Sequence, residues 1–229
     1  MKKIIKIDDK IINIYYKDSL NKELPVIILN TYDENIDEIW NISYELNSKD
    51  YILVGISGIN WNRDMSPWYM DKLYKNESNY DGLADNYLDL LINKIIPNIE
   101  SFINNLGYKI QEYILGGYSL AGLFSIYSLY KTNKFNKIIS CSGSLWYPNF
   151  IDFINNNKLL IKPSKIYLSL GNRENHSKNK LIKEVYNNTL YVEKFFKDLN
   201  INILFEENIG NHFQDISLRI AKGINWILR

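Results

Sequence analysis

The chain has 229 residues, 27 basic and 26 acidic side chains, a formal charge of +1 and 46% hydrophobic residues. Balanced charge with no long single-sign block argues against a nucleic-acid-binding surface, which shows as clustered Lys and Arg, and no apolar run of about 18 residues is present to span a membrane. At this length one α/β domain over 1–229 is expected, burying roughly three-quarters of the surface its unfolded chain exposes.

Residues 4–16 alternate as a strand pair, with Ile5, Ile7, Ile11, Ile12 and Ile14 apolar and Asp8-Asp9-Lys10 as the turn. The basic start Met1-Lys2-Lys3 is interrupted by charge before any apolar stretch, unlike a secretion signal. Pro25-Val26-Ile27-Ile28-Leu29-Asn30 is a continuous apolar run, as in a strand buried on both faces of a parallel sheet. Helical spacing follows over 37–47, then a second buried strand over 51–56. From 61 to 81 the periodicity dissolves into Trp, Asn, Asp, Pro and Tyr, the composition of a functional loop rather than a disordered one. An amphipathic helix is predicted over 84–106, with Pro97 kinking or splitting it.

A strand over 113–117, a helix over 120–130 and a strand over 137–142 come next. The single cysteine, Cys141, falls in that last strand and reads as a small core hydrophobe. A lone cysteine forms no internal disulfide, which points to a reducing, cytoplasmic address. A surface loop around 155–158, a strand over 165–170, a helix over 179–199, a strand over 201–206 and a helix over 215–228 complete the chain. Strands alternate with helices after the opening pair. That order argues an α/β fold with a mostly parallel central sheet and helices on both faces.

The most informative stretch is Leu115-Gly116-Gly117-Tyr118-Ser119-Leu120-Ala121-Gly122. A buried strand ends in a tight turn, a helix starts at once, and a serine sits at the apex. A nucleophile elbow is built this way. Gly117 and Ala121, two positions either side of Ser119, are small enough for strand and helix to approach. The alternative is an ordinary turn with Ser119 as a helix N-cap. The amide of Leu120, at the positive end of the helix, is the expected first oxyanion donor. Tyr32, in the loop after the 25–30 strand, is the expected second.

Serine needs a neighbouring base. Of the two histidines, His176 and His212, His212 lies between the last strand and the last helix, in the chain order Ser, acid, His of an α/β-hydrolase. Glu174 is the carboxylate in the loop after the 165–170 strand, placed to accept the imidazole N–H. Two alternatives stand beside it: a surface pairing of Glu174 with Arg173 or a lysine, and a Ser–His dyad without an acid. Asp198 and Asp215 read as helix-end residues. Trp61, Asn62, Asp64 and Trp68 follow a buried strand at the end where open sheets bind ligands, and Trp146 follows another. With Tyr118, they are the candidate substrate-binding residues. A buried aromatic cluster is the competing reading of the tryptophans.

Gly117-Tyr118-Ser119-Leu120-Ala121-Gly122-Leu123-Phe124, Ser142-Gly143-Ser144-Leu145-Trp146, Gly171-Asn172-Arg173-Glu174 and Gly210-Asn211-His212-Phe213 together resemble one family. It is the esterase family of α/β-hydrolases that includes esterase D-like enzymes and the ferric-enterobactin and salmochelin esterases. The resemblance spans nearly the whole chain after Pro25. It implies hydrolysis of a small-molecule ester through an acyl-enzyme, with Ser119 as nucleophile and His212 as base and with no metal or cofactor. Two departures are Ala121 in place of the commoner glycine and a short chain, on which no added N-terminal domain is expected. Thioester hydrolysis, acyl transfer at the same site, and a non-catalytic binding domain on this scaffold are the competing functions. The oligomeric state is not legible.

Overall fold

Alternation along each strand sets both faces of the sheet. In β3 (Glu23–Asn30), Val26 and Ile28 enter one buried cluster, while Ile27 and Leu29 enter another on the opposite face. β4 (Ile52–Ser57) repeats this with Ile52, Val54 and Ile56 against Leu53. A strand apolar on both faces needs a helical layer on each side. The computed structural model describes residues 1–32 and 35–229 and has those layers.

Among the described residues the main sheet has eight strands, in the order β1-β2-β4-β3-β7-β8-β9-β10. β1 (Lys2–Ile7) and β2 (Lys10–Tyr15) form the predicted antiparallel pair, and β2 joins β4 antiparallel. β3, β4, β7 (Lys109–Tyr118), β8 (Phe135–Cys141), β9 (Lys165–Gly171) and β10 (Asn202–Asn208) are all parallel. The fold is α/β with a mostly parallel central sheet, as expected from the order of elements.

One face is covered by α1 (Ile36–Glu45) and α9 (Ile216–Ile227), through Ile36, Ile39, Trp40, Ile220, Ile224 and Ile227. The other face is covered by α3 (Ala84–Leu90), α4 (Ile96–Asn105), α5 (Leu120–Ser128), α6 (Phe150–Asn156) and α8 (Val185–Asp198), with Leu88, Ile99, Leu123, Phe124, Phe150 and Phe196 among the buried residues.

Several elements differ from expectation. The 84–106 helix runs without a break in sequence from α3 into α4 but contains a wide π turn over Leu91–Ile95, just before Pro97 in the first turn of α4. The extra residue in that turn lets the chain pass a proline that lacks the N–H of a regular ladder. The 179–199 helix is two helices, α7 (Lys180–Lys183) and α8. The irregular 61–81 stretch holds a one-turn helix, α2 (Trp61–Asp64), and a small hairpin of β5 (Tyr69–Met70) and β6 (Tyr80–Asp81). α6 is not among the predicted elements, and its last turn takes in Asn155 and Asn156 of the expected 155–158 loop. Cys141 is fully buried, and burial pushes its thiol pKa up to about 12. No helix among the described residues is long and apolar enough to cross a membrane.

The pairing register places the site. Asn30 pairs with Gly117, Tyr118 with Cys141, Cys141 with Ser169, and Asn208 with Gly171. The C-terminal ends of β3, β7, β8, β9 and β10 therefore share one rim, and the loops leaving them converge there.

Candidate active site

Ser119 stands between β7 and α5 with φ +59° and ψ −123°. L-residues rarely adopt this pair of angles, and such strain costs about 1–3 kcal/mol. The serine hydroxyl does not cap α5, unlike a simple helix N-cap. The turn is fixed from the neighbouring strand. The Ser119 N–H donates to the Cys141 carbonyl at 3.0 Å, and the Ser144 N–H donates to the Ser119 carbonyl at 3.0 Å. A side chain on Gly117 would overlap the Ala121 methyl. Ala121 is accommodated because Gly117 has no side chain.

The hydroxyl lies 3.1 Å from His212 Nε2 and 3.3 Å from Ser144 Oγ. His212 Nδ1 lies 2.7 Å from Glu174 Oε2. Glu174 is buried, only 7% exposed. Its other oxygen, Oε1, accepts the Gly171 N–H at 2.6 Å, the Ser142 hydroxyl at 2.7 Å and Arg219 Nη1 at 3.0 Å. Burial is the largest single influence and pushes the Glu174 pKa up, but the hydrogen bond and charge of His212 oppose it. With the Ser142 hydroxyl and the Gly171 N–H, they hold the carboxyl below its ordinary value. Glu174 is thus not a surface carboxylate paired with Arg173, whose Nη2 donates instead to Gln214 Oε1 at 3.3 Å. Its cationic partner is Arg219, at 3.0 Å.

Two lobes of one cleft meet at Ser119, His212, Ser144 and Trp146. The larger, about 710 Å³, is lined by Tyr32, Ile59, Trp61, Asn62, Leu120 and Ile216 among others. The smaller, about 380 Å³, runs past Leu73, Tyr74, His176, Ile182 and Val185. The predicted oxyanion residues Leu120 and Tyr32 therefore border the larger lobe beside Ser119. Trp61 packs against Tyr32 with ring centroids 5.5 Å apart. Asn62 braces the loop before β6 by donating to the Ser78 carbonyl at 3.0 Å.

Three candidate substrate-binding residues are placed differently. Tyr118 borders the larger lobe, but its hydroxyl points inward and donates to the His212 carbonyl at 2.8 Å. Asp64 is buried away from the cleft. It accepts from Arg63 Nε at 2.8 Å and the Asn60 N–H at 3.1 Å, so it holds the α2 turn together. Trp68 turns to the far side of the hairpin, among Tyr147, Phe150 and Phe153, with Nε1 donating to the Pro148 carbonyl at 3.1 Å. Trp61 therefore lines the cleft and Trp68 does not.

Sequence reading missed Ser142 and Arg219 as parts of this network. Arg219 carried a signal, since it interrupts the apolar stripe of Ile216, Ile220, Gly223, Ile224 and Ile227 along α9. An arginine there is expected to find a buried anion. Among the described residues no group of three or more His, Cys, Asp or Glu side chains is placed to hold a metal ion.

Residues 9–195 match the protein family described as "Putative esterase". YbbA of Bacillus subtilis strain 168, an uncharacterized protein, is 26% identical over 184 residues, covering 78% of this chain and 73% of its own. Among solved structures, the IroE-like serine hydrolase from Shewanella oneidensis has a TM-score of 0.81 at 18% identity, covering 100% of this chain and 79% of that one. The siderophore hydrolase EstA from Aspergillus nidulans has a TM-score of 0.76 at 16% identity, covering 99% and 93%. At these identities the structural likeness is one of fold, and it agrees with the sheet order and helical layers found above. The family match covers most of the sequence, and the chain belongs to the esterase family of α/β-hydrolases, a family of carboxylic-ester hydrolases.

Proposed function

We propose that the chain cleaves a small-molecule carboxylic ester through an acyl-enzyme, with residues 1–229 acting as one catalytic domain. The reading rests on the unbroken relay from Ser119 Oγ to His212 Nε2 at 3.1 Å and from His212 Nδ1 to Glu174 Oε2 at 2.7 Å. An ionised carboxylate only accepts, so Nδ1 carries the ring proton and Nε2 turns its lone pair to the serine.

In this reading His212 takes the hydroxyl proton as Ser119 Oγ attacks the ester carbonyl. The oxygen that becomes negative is met by the backbone N–H groups of Leu120 and Tyr32, where losing one donor costs about 3–4 kcal/mol of transition-state stabilisation. His212 returns the proton to the leaving alkoxide, the alcohol departs, and the acyl group stays on Ser119. Water then repeats the sequence with the same base, releasing the acid and restoring the serine. Glu174 stays ionised and stabilises the imidazolium that forms twice per turnover. The two lobes on either side of Ser119 give separate room to the acyl and alcohol parts of the ester.

Labelling with a fluorophosphonate probe, followed by peptide mass spectrometry, tests the assignment. One adduct per chain on Ser119 is expected, absent from Ser119→Ala and strongly slowed in His212→Ala. Unlabelled Ser119, under conditions that label a known serine esterase, would sink the assignment. Because EstA and EstB of Aspergillus nidulans are named siderophore hydrolases, a siderophore ester belongs in the substrate panel beside acetyl and butyryl esters.

A further inference from the structure

Arg219 is fully buried, a rare place for a guanidinium. It does not line the cleft, yet its terminal nitrogens reach three separate parts of the site. Nη1 donates to Glu174 Oε1 at 3.0 Å and also lies 3.0 Å from Tyr118 Oη and 3.1 Å from Ser142 Oγ. Nη2 donates to the Asn211 carbonyl at 3.0 Å and to the Ile209 carbonyl at 3.4 Å. Tyr118 Oη, at the end of β7, in turn donates to the carbonyl of His212. One side chain on α9 therefore joins the carboxylate, the strand that leads to Ser119 and the loop that carries His212.

The division of contacts at Glu174 gives this joint a purpose. Oε1 is occupied by Arg219, Ser142 and the Gly171 N–H, whereas Oε2 meets His212. A carboxylate gripped by one oxygen presents the other in a fixed direction. A buried carboxylate with no counter-charge would be driven toward its neutral form, and Arg219 supplies that charge through the oxygen that His212 does not use. Arg219 Nε has no hydrogen-bond partner among the described residues. The guanidinium is thus oriented for its terminal nitrogens at the expense of its third donor site, which a role as neutral packing would not require.

We propose that Arg219 is a positioning residue for the reaction: it pins Glu174 by Oε1, so that Oε2 holds the His212 ring toward Ser119. The inference deepens the function proposed above and rests on it. Arg219 acts through Glu174 and never touches the substrate.

The test measures kcat and KM, on an ester that the wild type hydrolyses, for Arg219→Met, Arg219→Lys, Glu174→Gln and the double variant Glu174→Gln/Arg219→Met. Arg219→Met is expected to lower kcat on the order of 100-fold, the cost of a misplaced catalytic group, with KM changed less than about twofold. Arg219→Lys keeps the charge without the planar fork, and recovers part of that loss. In the Glu174→Gln background the loss caused by Arg219→Met shrinks at least about tenfold, because the two side chains work as one unit. An equal loss in both backgrounds, or full kcat in Arg219→Met, overturns the proposal.

Arg219→Met leaves a lone buried carboxylate and can fail to fold. In that event Arg219→Lys carries the test, with its fold checked by circular dichroism. A kcat at least about fivefold below wild type at unchanged KM supports the proposal, and a wild-type kcat overturns it. Ser119→Ala and His212→Ala are run alongside. If they stay active, the Ser119–His212 reading itself falls. If they are inactive while Arg219→Met is not impaired, only the role of Arg219 is lost.

Discussion

Gly117 and Ala121 face each other across the turn that carries Ser119, with no room for a second methyl: a Cβ at Gly117 would overlap the Ala121 side chain and lie 2.8 Å from its backbone carbonyl carbon. β7 and α5 are thus locked at their closest approach, and the strained serine is a consequence of that closeness. Gly117→Ala should destabilise the protein by about 1–3 kcal/mol, the usual cost of overpacking. It should also lower kcat, because relief of the clash moves Ser119 away from His212. Thermal melts together with esterase kinetics check this. Wild-type stability in Gly117→Ala would show that the turn is not held by contact.

The Glu174 carboxyl gives a dependence of stability on pH with a defined sign. Its folded-state pKa lies below the ordinary 4.5, so its ionised form contributes stability above the unfolded-state value. That contribution is lost as pH falls through the folded-state value. Glu174→Gln removes it and leaves Arg219 without a counter-charge, so the variant should be less stable than wild type at pH 7. The gap between wild type and variant should narrow as pH falls below the ordinary carboxyl value of 4.5. Urea melts at pH 7, 5 and 3 measure the gap, and a gap independent of pH would contradict the placement.

Trp61 and Trp68, seven positions apart in one loop, should fail in different ways. Trp61 lines the larger lobe, so Trp61→Ala should raise KM by about three- to tenfold, the ~0.5–1.5 kcal/mol of an aromatic contact, with little change in stability. Trp68 packs within 5.8 Å of Tyr147 and 5.6 Å of Phe153, centroid to centroid. Trp68→Ala should cost roughly 2–4 kcal/mol of stability and leave KM near wild type. Paired denaturation and kinetic measurements separate the two, and a reversal of the pattern would mean that the loop is turned the other way.

Cys141 is fully buried with its thiol pKa pushed up to about 12 by burial. It should resist an aromatic disulfide reagent at pH 8 in the native protein and react with one equivalent in strong denaturant. Rapid native reaction would place the thiol at the surface. Alkylation under native conditions should correspondingly leave esterase activity intact.

The elbow around Ser119 was legible because it is local: a buried strand, a small residue, a serine and a helix start follow one another in the sequence, and the turn geometry follows from them. His212 was legible for a similar reason, since its loop is bracketed by two recognisable elements. Glu174 was only partly so. Its position after β9 pointed to the imidazole, but the sequence equally allowed a surface pairing with Arg173. In the fold Glu174 is buried, with Gly171, Ser142 and Arg219 around Oε1, and does not pair with Arg173. Asp64 and Trp68 shared a loop and a composition with Trp61, and nothing periodic separates the three. The one-turn α2 helix and the hairpin decide which side chain faces the cleft.

By itself the sequence determined the fold class, the strands of the main sheet in chain order, and the serine and histidine set at the ends of those strands. Those follow from side-chain periodicity and turn chemistry, which act over a few residues. The tertiary structure decided which charged groups meet. Glu174 and Arg219 are 45 residues apart, and His212 and Ser119 are 93 apart. Their meeting depends on how α9 crosses β7, β8 and β9 and on which groups that crossing removes from water. A buried charge must find its partner wherever the packing places it, and local pattern carries no record of that place.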